Sequence, residues 1–250
     1  MNRRTTFLLI ILTLDLAIAI ALAFTGLVTT PVDIKQLGLF YIENSFFGEM
    51  SAMTPEVVSS IVWDYRGLDT IYETAVFFLA IVAGLAVFGT VETSSGVSKG
   101  LTNLARTATK LMSLLIISVS ASIALHGHLT PGGGFQGGSA LAVTPLLLIP
   151  TFSVYELVNR GVTTTRLIAA RGLALASIGL IALLPVFRGL EIATNTRFYP
   201  AYFMGQLISG SLFFYNIFEY LAVASGFAAI FLYISIPERC LDGEISRGGG

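Results

Sequence analysis

The sequence predicts an all-α, polytopic membrane protein with about six transmembrane helices and a short interfacial helix. Three observations predict it. The 250 residues are 54% hydrophobic and only 12% charged, with a mean hydropathy of +0.81, a composition that a water-soluble globule of this size cannot cover. Six apolar runs are long enough to cross a bilayer, which takes roughly 17 to 25 residues. A glycine-rich stretch, SASIALHGHLTPGGGFQGGSALAVTP at 120–145, breaks the third run from the fourth where a simple turn would need less glycine.

In chain order the predicted spans are 7–28, 70–88, 109–125, 138–152, 168–186 and 212–236. The first follows a basic MNRR and has an ALA at 21–23 like a cleavage site. Its apolar run exceeds a usual signal core, so it is read as a retained anchor helix. The fourth is short and carries Pro145 and Pro150, which predicts a kink where those residues remove backbone donors. Between the first two spans, MTPEVVSSIVWDYRGLD predicts an interfacial helix over 54–63. Thr54 would be its N-cap, Pro55 its first helical residue, and Val57, Val58, Ile61 and Val62 its apolar face. A polar linker at 90–107 separates a two-span part, 1–89, from a four-span part, 108–250. No internal repeat is evident, which disfavours an inverted-repeat transporter built from this chain alone.

Basic residues fix the orientation. With the N-terminus inside, that side collects Arg3, Arg4, Lys99, Arg106, Lys110, Arg160, Arg166, Arg171, Arg239 and Arg247, against Lys35, Arg66, Arg188 and Arg197 outside. Both termini are therefore predicted cytoplasmic and the glycine break external. The net charge of -1 gives no basic face for nucleic acid, and the single cysteine, Cys240, has no intrachain partner.

Ionisable groups within lipid are costly and point to function. Asp15 lies in the first span, Glu73 one turn into the second and Glu219 well inside the sixth. Tyr215 and Asn216 are helical neighbours of Glu219 and could share a hydrogen bond with it. Such a carboxyl serves either an ion or proton pathway or the association of helices. Asp69 has the position of an N-cap for the second span, and Glu73, four residues on, stacks beneath it as a carboxylate ladder leading inward. Arg66 offers Glu73 a competing ion pair.

His126 and His128 are two residues apart, so on a helix they diverge, and no cysteine or carboxylate completes a metal site. Pro131, Gly132, Gly133 and Gly134 end any helix. The further Gly137 and Gly138, around Phe135 and Gln136, suggest close approach of a neighbouring helix or of a hydrated cavity. There is no cysteine cluster, dinucleotide fingerprint, nucleophile–base pair or H-E-x-x-H pattern, so no redox cofactor or hydrolytic site is expected.

GHLTPGGGFQGG at 127–138, with the four-span half, resembles the signature of the MrpB subunit of Mrp-type sodium/proton antiporters and of its counterpart MbhF in membrane-bound hydrogenases. VWDYRGLDTIYETAV, with Asp64, Arg66, Gly67, Asp69 and Glu73, is similar to the D-[FY]-R-G-x-D-T-x-x-E stretch of the MbhE module, which in Mrp antiporters ends the large MrpA subunit. Here that module is fused ahead of the MrpB-like part, which points to a hydrogenase-like or related respiratory complex. The resemblance implies a subunit of a sodium- and proton-translocating module in the cell membrane, with no cofactor of its own. Its partners would be other Mrp- or Mbh-type subunits, including large antiporter-like ones. A structural scaffold and a subunit of a stand-alone antiporter are the alternatives. Single cysteines at Lys35 and Lys99 test the predicted topology: they should label from opposite sides of the membrane, and labelling from one side overturns it.

Overall fold

Each of the six apolar runs forms a helix. The computed structural model describes residues 3–25, 33–48, 51–88 and 101–235; residues 90–100 of the predicted linker, with Lys99, and Cys240 lie outside them. The chain divides into two compact units, 1–40 and 41–250. The first holds α1, Arg3–Phe24, on which Asp15 is exposed. Helix α2, Gln36–Asn44, runs across the boundary between the units.

The second unit carries five helices long and apolar enough to span a membrane. They are α4, Gly67–Phe88; α5, Asn103–Leu125; α6, Gly134–Phe152; α8, Thr164–Leu183; and α9, Leu212–Ile234. A shorter apolar run, Leu9–Phe24, belongs to α1. Helices α5 and α8 start several residues earlier than hydropathy suggests because capping decides where a helix begins. The Thr102 hydroxyl accepts from the Ala105 N–H, and Thr163 from that of Arg166, each at 3.4 Å. Helix α6 keeps Pro145 and Pro150 inside one continuous span. It ends at Ser153, whose φ of 90° turns the chain into the short α7, Val154–Asn159. The fifth span closes with a 3-10 turn, Leu184–Arg188.

The predicted interfacial helix differs in detail. Its α-helical part, α3, covers only Val57–Ser60, and the N-cap is Glu56, whose carboxylate accepts from the Ser59 N–H. Thr54 is fully buried and donates its hydroxyl to the carbonyl of His128, while Ser59 donates to that of Gly127. The polar side of this segment thus faces inward because the glycine-rich break leaves carbonyls open there. A π-helical turn, Ile61–Tyr65, follows and carries Trp63 into stacking contact with Tyr215, ring centres 4.7 Å apart. Helix α4 starts at Gly67, so Asp69 sits in its first turn and is not the N-cap, although the helix dipole still favours it there. The segment between α8 and α9 adds a hairpin that the periodicity did not signal, β1, Tyr202–Phe203, against β2, Gln206–Leu207.

Helix α9 is the centre of this unit, packing on α4, α5, α6 and α8. Glycines on α6 permit the closest of these approaches. A Cβ on Gly138 would lie 2.7 Å from the Cβ of Val223 and 2.8 Å from the Tyr220 carbonyl on α9; one on Gly137 would lie 2.7 Å from the Ser120 carbonyl on α5. Small residues at such crossings let backbones meet where lipid offers no hydrophobic drive. Gly138→Ala is therefore expected to destabilise the bundle by about 1–3 kcal/mol, the usual cost of overpacking. Gly172→Ala, where nothing lies within 4 Å, is expected to be neutral. Thermal melts of the two variants in detergent check the contrast.

Candidate functional site

A helix that begins within a membrane bundle has backbone N–H groups that neither water nor the helix itself can satisfy. Two side chains on neighbouring turns of α9 supply what α6 lacks. Asn216 Oδ1 accepts from the Gly134 N–H at 3.1 Å, and Glu219 Oε2 from the Phe135 N–H at 3.0 Å. Gly133, at φ 141°, aims the chain into this start. Gly134 is held so close that a Cβ there would lie 2.6 Å from that of Glu219. The close approach expected of the glycine excess is thus made with α9 and α5. Asn216 and Glu219 do not bond to each other as their spacing suggested; both turn to α6, and Tyr215 turns to Trp63.

Glu219, 8% exposed, and Glu73 line one cavity of about 360 Å³ together with Asn216, Gly132, Gly133 and Phe77. Glu73 is exposed at its edge, so the cavity runs from an accessible carboxylate to a buried one. The two motifs singled out in the sequence therefore meet at one place, and Glu219 joins them. Gln136 lines the same space, whereas Pro131 does not.

The expected ladder from Asp69 to Glu73 is not continuous. Arg66 binds Asp69, with Nη2 2.6 Å and Nε 2.8 Å from Oδ2, which fixes Asp69 outside the cavity and leaves Glu73 without that competing partner. Both members of the pair are exposed, so it contributes little to stability. Asp64, Arg66, Gly67 and Asp69 belong instead to a second, more polar cavity of about 600 Å³ closed by Glu191 and Arg197. His126 is exposed at the end of α5, its Nδ1 3.0 Å from the Ser122 carbonyl. His128 is buried, with Nε2 2.9 Å from the Leu207 carbonyl and its ring edge-on to Phe213. Burial pushes the His128 imidazole below its ordinary range. Neither histidine lines the carboxylate cavity, and His128 ties the break to the hairpin.

The sequence reading missed Arg171. It counts as an inner-loop charge above, yet it lies eight residues into α8 and is 1% exposed. The available signal was its position inside the predicted span 168–186.

Burial raises the Asp64 carboxyl from 3.8 to about 6, opposed by a hydrogen bond with Asn195. The folded state then holds a proton that the unfolded chain has released, so this group's contribution to stability falls as pH rises from about 4 to about 6 and is constant above that. Asp64→Asn is expected to remove that slope, giving a smaller drop in melting temperature between the ends of that interval.

The family model for domains related to the MnhB subunit of Na+/H+ antiporters matches residues 104–229. An uncharacterized protein of Methanocaldococcus jannaschii is 28% identical over 39% of this chain and 44% of its own. Antiporter subunit mnhB2 of Staphylococcus aureus is 31% identical over 34% of this chain and 58% of its own. The chain thus spans about half the length of these relatives. Among solved structures, a chain of the membrane-bound sulfane sulfur reductase, an archaeal respiratory membrane complex, matches with a TM-score of 0.64 and 26% identity, over 95% of this chain and all of that one. A chain of the Mrp complex from Dietzia sp. shares the fold at a TM-score of 0.59 and 18% identity, over 93% of this chain and 26% of that longer one. Both neighbours are parts of multisubunit membrane complexes. With half of its length matched by the family model, this multi-pass membrane protein belongs to the family of domains related to the MnhB subunit of Na+/H+ antiporters.

Proposed function

We propose that the chain is a membrane subunit of a sodium- and proton-translocating, Mrp-type module within a respiratory complex. It works beside other Mrp- or Mbh-type subunits, among them large antiporter-like ones, and has no redox or hydrolytic site of its own. The match to the whole of one chain from a respiratory complex, against a quarter of a longer Mrp chain, favours this setting over a stand-alone antiporter. In this reading residues 1–89 and 108–250 are two modules joined by the 90–107 linker, and both termini face the cytoplasm across the cell membrane.

The observation that carries the proposal is the shared cavity of Glu73, Glu219 and the glycine break. Glu73, exposed at its edge, is the carboxylate that exchanges a proton for a hydrated cation; Glu219 is the acceptor at the buried end, and the Gly132 and Gly133 backbone leaves room for water. Asp69, His126 and His128 do not line that cavity.

A scaffold role is favoured for Glu219 by its bond to the Phe135 N–H. Variants of the assembled complex in sealed vesicles separate the roles. Glu73→Gln is expected to lower sodium-coupled transport about a hundredfold or more, the usual size of losing a proton-transfer group, while redox chemistry in detergent survives. Glu219→Gln keeps an acceptor for α6 and Glu219→Leu does not, so the Leu variant alone should impair assembly. Retained transport by Glu73→Gln would sink the pathway reading.

A further inference from the structure

Beneath the carboxylate cavity the bundle holds a buried charge on α8. Arg171 on α8 is 1% exposed and forms no ion pair among the described residues. Its Nη1 donates to the Ala222 carbonyl on α9, and its guanidinium carbon lies 4.5 Å over the Phe77 ring and 5.7 Å from that of Phe78, both on α4. Nε and Nη2 are buried without a hydrogen-bond partner. The surroundings make room for it: a Cβ on Gly226 of α9 would collide with Nη1 and lie 2.8 Å from the Ile81 Cδ1. An unpaired cation in a low-dielectric interior is costly, so packing alone does not account for it; an apolar residue of similar volume would do that better.

Its level in the bundle is informative. Phe77 follows Glu73 by four residues on α4, about 6 Å along the axis, and Ala222 follows Glu219 by three on α9, about 4.5 Å. Arg171 therefore stands one turn beyond both carboxylates, on the side away from the glycine break. Phe77 is the shared wall: it lines the carboxylate cavity and also an apolar groove with Ile81, Leu85 and Ile230 further along α4 and α9. A cation leaving the cavity in that direction would meet a fixed positive charge, the kind of barrier by which pores exclude protons and cations.

We propose that Arg171 is the electrostatic barrier that closes the carboxylate cavity toward the far side of the membrane, so that cations reaching Glu73 cannot pass between α4, α8 and α9 of this subunit. The inference rests on the reading of Glu73 as the pathway carboxylate and adds the direction that the pathway does not take. Passive collapse of imposed sodium and pH gradients, in vesicles holding the assembled complex without turnover, tests it. Arg171→Gln and Arg171→Met should leak several-fold faster than the parent, Arg171→Lys should stay tight, and Glu73→Gln added to Arg171→Gln should abolish the leak. Neutral variants that assemble and stay tight overturn the barrier, and so does a leak that persists with Glu73→Gln. If neither neutral variant assembles while Arg171→Lys does, the charge is a folding element and the barrier is likewise overturned. None of these results bears on transport by Glu73→Gln alone, which judges the pathway reading separately.

Discussion

The start of α6 is the constraint on which the site depends. A helix that opens at the end of a buried bundle must find acceptors for N–H groups that no preceding turn covers, and in lipid the alternative is loss of several kcal/mol for each group left bare. Asn216 and Glu219 meet that demand at Gly134 and Phe135. They reach it only because α6 carries no side chain at 134 or 138 to hold α9 away. The glycines, the asparagine and the glutamate are thus parts of one contact. Removing the glycine separates the helices, and removing the oxygens strips the helix end.

From that contact the cavity follows. The backbone between His126 and Gly133 is not helical, and its open carbonyls draw in Thr54 and Ser59 from the segment before α4. That docking brings Trp63 onto Tyr215 and sets α4 with Glu73 beside the break. The Arg66–Asp69 pair at the head of α4 then keeps the surface charges in a separate polar cavity. A carboxylate one turn deeper is left accessible yet without a paired cation among the described residues. Such a group can change its proton or ion occupancy without first breaking a salt bridge.

The six apolar helices were legible because a membrane allows few structures: apolar length gives the helix directly. The glycine break and the Asp64–Glu73 stretch were legible as local departures from that pattern. Contacts between distant residues were not. Spacing on α9 suggests that Asn216 serves Glu219, but both are claimed by α6, more than 80 positions away in the chain. Thr54 looks like a cap and is drawn instead to a carbonyl at His128, which leaves Glu56 as the cap. Arg171 shows the opposite failure. Counting charges by side placed it in a loop, although the predicted span 168–186 already enclosed it and the helix buries it.

The distribution of burial indicates where the cavity can open. Of the apolar window of α9, 44% is buried, against 17% for α4 and for α5, so α9 is the interior element and α4 presents most of its surface outward. Glu73 is on α4 and exposed; Glu219 is on α9 and buried. The axis from one carboxylate to the other therefore runs across the bundle and not along it. A charged group on an exposed membrane helix is tolerated only when protein or water covers it. The surface around Glu73 is accordingly one that further protein or water must cover, and the cavity beside it opens toward that cover and not along the bundle axis.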